Sequence, residues 1–162
     1  MIECVDKKRL SQQMYRIREI RRLQAEVENI EIQLKSPKGI QLTDMPRSQN
    51  PFDKIGSLIS RKIEKEEKIQ HLIKKAETEK TILEAVISNM ATLPENPKGP
   101  LNSVFQDILR YKYLDDYSWE EINNVLNSYK KDFDDKADSK LRLLYRWHGQ
   151  ALLKFEKSQK MG

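Results

Sequence analysis

The acidic and histidine positions are the first places to look for chemistry in this sequence. Asp115 and Asp116 are adjacent carboxylates, but neighbouring side chains on a turn diverge. Acids just ahead of a helix also favour its dipole, so a structural role is expected for them. Asp132, Asp134, Asp135 and Asp138 have the density of a calcium loop without its glycine or its closing bidentate glutamate. His148 falls on an apolar helical face, where a packed histidine bonded to backbone is expected. No Ser/His/Asp set, glycine-rich phosphate loop or Cys/His cluster is visible. An enzyme is not expected, nor is a metal or a cofactor.

The basic residues carry more information. The chain has 162 residues and a net charge of +5, and its distribution is uneven. Residues 139–162 hold Lys140, Arg142, Arg146, Lys154, Lys157 and Lys160 against the single acid Glu156, so the remaining residues sum to zero. A helix from about Lys140 to Lys157, with Ser139 as its cap, places Leu141, Leu144, His148, Ala151, Leu152 and Phe155 on one face. Arg142, Tyr145, Arg146, Gly149 and Gln150 lie opposite. An apolar back with an Arg/Tyr/Gln front suits a recognition helix. Arg bonds guanine bidentately, Gln pairs with adenine, and Lys or Arg neutralises phosphate. Arg142, Tyr145, Arg146 and Gln150 are therefore the candidates for base or groove contacts. Lys140, Lys154 and Lys157 are the candidates for phosphates.

The elements that must position this helix are themselves helical. Apolar residues are 38% and charged residues 34% of the chain, a composition that favours long helices burying a stripe. Between about Asp6 and Lys35, Leu10, Met14, Ile17, Ile20, Leu23, Val27, Ile30 and Leu34 recur at nearly the 3.5-residue period of a coiled-coil seam. Ser36-Pro37-Lys38-Gly39 ends that helix, and a polar loop continues through Asn50. A second long helix runs from Pro51 or Phe52 to Met90. Its stripe includes Ile55, Leu58, Ile59, Ile63, Ile69, Leu72, Ile73, Ala76, Leu83, Val86, Ile87 and Met90, with breaks near Glu66 and Glu79. There the aliphatic stems of charged residues are expected to take over. The two helices predict an antiparallel, coiled-coil-like hairpin over 1–92, which leaves apolar edges for a partner or for homo-oligomerisation.

Pro94, Pro97, Gly99 and Pro100 mark a short linker over 93–100. Aromatic residues are concentrated after it, enough for a separate small domain over 101–162. There Leu101–Tyr113 reads as a helix with Val104, Phe105, Ile108, Leu109 and Lys112 along one side. A turn follows over Leu114–Tyr117. Ser118 caps a helix Trp119–Asn127, with Glu121 completing a capping box. Cys4 is the single cysteine, so no internal disulfide forms, and a reducing, cytoplasmic setting is expected. No run reaches the ~18 apolar residues of a membrane span, and the N-terminus lacks a signal-peptide core. The fold class is all-α.

The segment Ile108-Leu109-Arg110-Tyr111-Lys112-Tyr113-Leu114-Asp115-Asp116-Tyr117-Ser118-Trp119-Glu120-Glu121-Ile122 resembles the start of the helix-turn-helix in the fourth conserved region of sigma factors. Leu144-Tyr145-Arg146-Trp147-His148-Gly149-Gln150-Ala151-Leu152 is similar to the "VYRLHGKAL" ending of small phage and prophage proteins, the sigma-like ArpU/RinA-type late transcription regulators. Met45-Pro46-Arg47 and Asp53-Lys54-Ile55-Gly56 resemble that family's "MPRG…SDKVG" stretch. The resemblance implies a sequence-specific DNA-binding regulator of phage or mobile-element genes in a bacterial host. Its partners would be double-stranded DNA and host RNA polymerase. The chain departs from the family at Asn127–Asp138, where an acidic insertion lengthens the expected short turn by roughly eleven residues relative to a standard unit. Two other readings remain open: a helical adaptor or inhibitor that grips another protein, and a terminase small-subunit-like packaging protein. Salt-dependent DNA retention separates the first of these from a DNA binder, and a ring-sized mass in solution marks the second.

Overall fold

The computed structural model describes residues 5–35, 51–127 and 137–160. Cys4, the Ser36–Asn50 loop with Met45-Pro46-Arg47, and positions 128–136 of the acidic insertion lie outside them. The described residues are all-α, as expected: α1 (Lys7–Lys35), α2 (Pro51–Asn89), a 3-10 turn (Met90–Thr92), α3 (Asn102–Leu109), a π-helical turn (Arg110–Leu114), α4 (Trp119–Val125) and α5 (Ala137–Lys160). The ends follow local chemistry. Asp6 accepts the Lys8 N–H at 3.2 Å as an N-cap, and Pro51 opens α2 where its missing N–H has no partner to lose. Ser118 caps α4 by accepting the Glu121 N–H at 3.2 Å, as its spacing predicts. α5 begins earlier than expected, so Ser139 lies inside the helix rather than at its cap.

Contacts divide the chain into two compact units, residues 18–76 and residues 1–17 with 77–162. This differs from the expected division at the 93–100 linker, and the reason is apolar packing. In the second unit Leu10 and Met14 of α1 and Leu83 and Ile87 of α2 share one core with Phe105, Ile108, Ile122, Leu144, Trp147, Ala151 and Phe155. Each of these helical pieces buries only a stripe, and pooled stripes make a core that none could make alone.

The first unit is the antiparallel pairing of α1 with α2. Ile20, Leu23, Ile69 and Ala76 form its small apolar cluster. Ion pairs set the direction. Glu19, Glu26 and Glu31 rise along α1 while their partners Lys68, Lys65 and Lys62 fall along α2. The break in the α2 stripe ahead of Ile69 is filled by Lys62 and Lys65, each half-buried, with their stems along the seam and their ammonium groups on α1 carboxylates. The hydrogen bond from Lys65, with the charge of Arg22 beside it, holds the Glu26 carboxyl below the usual range. Ile59 and Ile63, expected in the stripe, instead face outward at 43% and 51% exposure. The second break behaves in the same way: in its own unit Glu79 accepts from Arg9 through two bonds of 2.6 and 2.9 Å.

The stretch between α2 and α3 is held by buried amides rather than left as a free linker. The last carbonyls of a helix have no partner within it. Gln106 donates to two of them, Ile87 O at 2.8 Å and Ser88 O at 3.3 Å. Asn102 donates to Leu93 O at 2.8 Å, and its backbone N–H donates to Glu95 at 2.9 Å. At the other end of the unit, Gln159 donates to Val5 O and accepts the Val5 N–H.

Both tryptophans, Trp119 and Trp147, lie in the aromatic part of the chain, so their fluorescence reports on that part. Leu10→Ala, in α1, should destabilise the shared core by about 2–5 kcal/mol. The urea midpoint followed by tryptophan fluorescence should fall accordingly; an unchanged midpoint would mean that the core is not shared.

Candidate nucleic-acid interface

α5 is positioned by its buried face. Leu144, Trp147, Ala151, Phe155 and Ser158 recur every three or four residues and are at most 8% exposed. They pack α5 on α3, α4 and the 3-10 turn. Leu152 and His148 flank this stripe, half-buried, and so does Leu141. Trp147 is absent from the sequence-derived face although its spacing from Leu144 and Ala151 marks it as core. Its position beside two arginine-bearing turns disguises that.

With that face buried, helical geometry turns the opposite one outward. Arg142, Tyr145, Arg146, Gly149, Gln150, Leu153 and Lys157 are all exposed. The structure therefore brings together Arg142, Tyr145, Arg146, Gln150 and Lys157 from the sequence-derived set. Arg142, Arg146 and Lys157 make no ion pair among the described residues. Glu156, the only acid of the C-terminal stretch, is 3.5 Å from Lys7 and so is engaged elsewhere. The Lys140 side chain is outside the described ones.

Lys154 is not on this face. Its ammonium donates to Asn102 Oδ1 and to Pro94 O at 3.4 Å, and lies 5.0 Å from the centre of the Phe105 ring. Its position on the helix surface is between the two faces, and the start of α3 supplies acceptors and an aromatic ring within reach. A tether rather than a phosphate contact is the result.

The exposed face is backed by an aromatic and cationic cluster. The π-helical turn closes with the Asp115 N–H on Arg110 O at 3.0 Å, and the Tyr117 N–H reaches Tyr111 O at 2.8 Å. Asp116 carries a φ of 53°, a left-handed conformation that Asp tolerates better than most residues. This places the Tyr111 and Tyr117 rings in parallel stacking at 5.3 Å. Asp115 and Asp116 thus shape a turn. Trp119, first in α4, meets Tyr145 edge-on at 5.4 Å and His148 at 4.7 Å, with the Lys112 ammonium 4.6 Å over its own ring. The buried Lys112 sets its ammonium on this indole face, where the ring quadrupole attracts a cation.

His148 bonds the Tyr113 hydroxyl at 2.6 Å, a phenol rather than the expected backbone group. Burial, together with the charge of Lys112, pulls the imidazole down to about 4, and burial pushes the Tyr113 phenol up to about 12. Both groups are neutral near pH 7. This argues for a packed, hydrogen-bonded pair rather than a base.

The folded imidazole titrates below its unfolded value near 6.5, so the stability tied to its neutrality is complete above pH 6.5. It is lost as pH falls from there towards 4. The urea midpoint of the wild type should drop between pH 7 and 5. His148→Gln, which keeps an acceptor for the phenol, should drop less; parallel curves would exclude His148 as the group responsible. No protein-family model, curated protein or solved structure matches this chain.

Proposed function

We propose that this chain is a sequence-specific DNA-binding regulator that places the exposed face of α5 in the major groove of duplex DNA. The observation that carries this reading is the clustering, on one exposed helix face, of cations that no carboxylate partners among the described residues. Arg9, Arg22, Lys62, Lys65 and Arg110 each sit against a carboxylate. Arg142, Arg146 and Lys157 have none among the described residues, on a face whose reverse is locked into the core. Phosphate is the chemistry that such a face lacks.

Arg142, Tyr145, Arg146 and Gln150 would contact base edges or groove walls, and Lys157 a phosphate. Tyr145 is braced edge-on by Trp119. The likeness to sigma-like phage regulators supports the same reading, and extends it to late-gene control in the cytoplasm of a bacterial host with RNA polymerase as a second partner. Self-association through the N-terminal helices belongs to this proposal too, with the outward Ile59 and Ile63 of α2 as its contact.

Selection of random 20-bp duplexes on the purified protein tests the reading. One sequence should be enriched, with affinity falling steeply as salt rises. Arg146→Ala should lose about 1–3 kcal/mol on that duplex, whereas Lys157→Ala should weaken all duplexes alike and reduce the salt slope by about 1. No enrichment and no salt dependence would leave the protein-binding adaptor as the reading.

A further inference from the structure

Gly149 lies in the middle of the 24-residue helix α5, with at least ten helical residues on either side. A glycine there is the least favourable choice after proline, because it frees the unfolded backbone and contributes no side chain. Three structural demands ordinarily require one, and none applies. Its φ is not positive. It does not end the helix. A Cβ built on it meets nothing within 4 Å, whereas one on Gly99 would come within 3.0 Å of the Asn96 side chain. Among the described residues the fold therefore makes no demand for this glycine.

Its surroundings supply one. The positions one turn away and alongside are Tyr145, Arg146, Gln150 and Leu153, all exposed, with Leu153 at 60%. They surround the position where the helix carries no side chain. Gly56 of α2 is open in the same way, but Ile59 and no exposed arginine stands one turn beyond it. Arg146, with the hydrogen-bonding Gln150 and Tyr145 beside it, is what gives Gly149 a partner of definite chemistry.

We infer that Gly149 is the point at which the α5 backbone makes its closest approach to the floor of the DNA major groove. This rests on the DNA-binding reading above and sharpens it. A helix with its side chains is about 10–12 Å across, and the groove is about 12 Å wide. At that fit, a side chain at the deepest point holds the whole helix away from the bases. Its absence lets Arg146 reach a guanine edge bidentately and lets Leu153 lie against a thymine methyl group.

The experiment pairs stability with affinity on the full chain. The probe is the duplex enriched by the wild type, with a scrambled duplex as the non-specific control. Gly149→Ala should raise Tm by roughly 2–4 °C, as a helix-interior alanine does. It should nevertheless bind the enriched duplex about tenfold more weakly, and Gly149→Leu more weakly still, while both retain wild-type affinity for the scrambled duplex. A fall in Tm would mean that the fold itself requires the glycine, and would overturn the inference. So would unchanged affinity for the enriched duplex, or an equal loss on both duplexes, with the DNA-binding reading left standing. Absence of any DNA binding by the wild type would overturn both.

Discussion

Burial of one face of α5 is the constraint from which the rest follows. Leu144 and Phe155 are fully buried, with Ala151 between them. Fully burying a Leu or Phe side chain is worth about 1.5–3 kcal/mol. Rotating the helix by even one position would expose them and drive Arg146 or Tyr145 towards the core. The rotation of α5 about its axis is thus fixed by hydrophobic burial, and its position along that axis by polar ties. Lys154 ties the helix to Asn102 at the start of α3, and Gln159 holds its end to Val5. A helix so fixed presents its outward residues in one arrangement, and a groove-reading surface needs that.

The polar groups inside the chain obey a second constraint, that a buried donor, acceptor or charge must find a partner. Gln106 and Asn102 meet it by closing the orphan carbonyls where α2 gives way to α3. Lys112 meets it on the face of Trp119, and the same charge helps keep His148 neutral. Lys62, Lys65 and Glu79 meet it within the seam positions of α2, where each is matched by an ion of opposite sign on α1. Such pairs contribute little stability in half-exposed settings, but a register shift of the two helices would strand every one of them, so they specify the pairing.

Much of this was legible in the residues. The seam of α1 is readable because the eight positions that recur at its period from Leu10 to Leu34 fall on one side, and all eight are buried or half-buried. Ser118 is readable as a cap because an N-cap is a local interaction. So is the outward face of α5, because a strong helical period survives tertiary packing. What was hidden depended on partners distant in sequence. Nothing local says that Lys154 finds Asn102, 52 residues earlier, in place of solvent. Ile59 and Ile63 each stand one position past the seam residues Leu58 and Lys62, and with Lys62 and Lys65 paired to α1 they are left on the outside. The division at 93–100 was suggested by proline and glycine content. That content reports where helices stop, not where a core stops, and Leu93, inside the stretch, is 7% exposed.

The same logic explains why a modest net charge can act as a concentrated one. Opposite charges within 4 Å cancel over distances well short of the Debye length of about 8 Å at physiological salt. The ion pairs of Glu19, Glu26, Glu31 and Glu79 therefore add little to the field that an approaching polyanion meets. Arg142, Arg146 and Lys157 have no such cancellation among the described residues, and they share one helix face. Such an arrangement favours the approach of a polyanion to that face. On the proposed reading, charge brings the duplex to this face. The shape of the face, with a braced Tyr145, an open Gly149 and a projecting Arg146, decides which sequence stays.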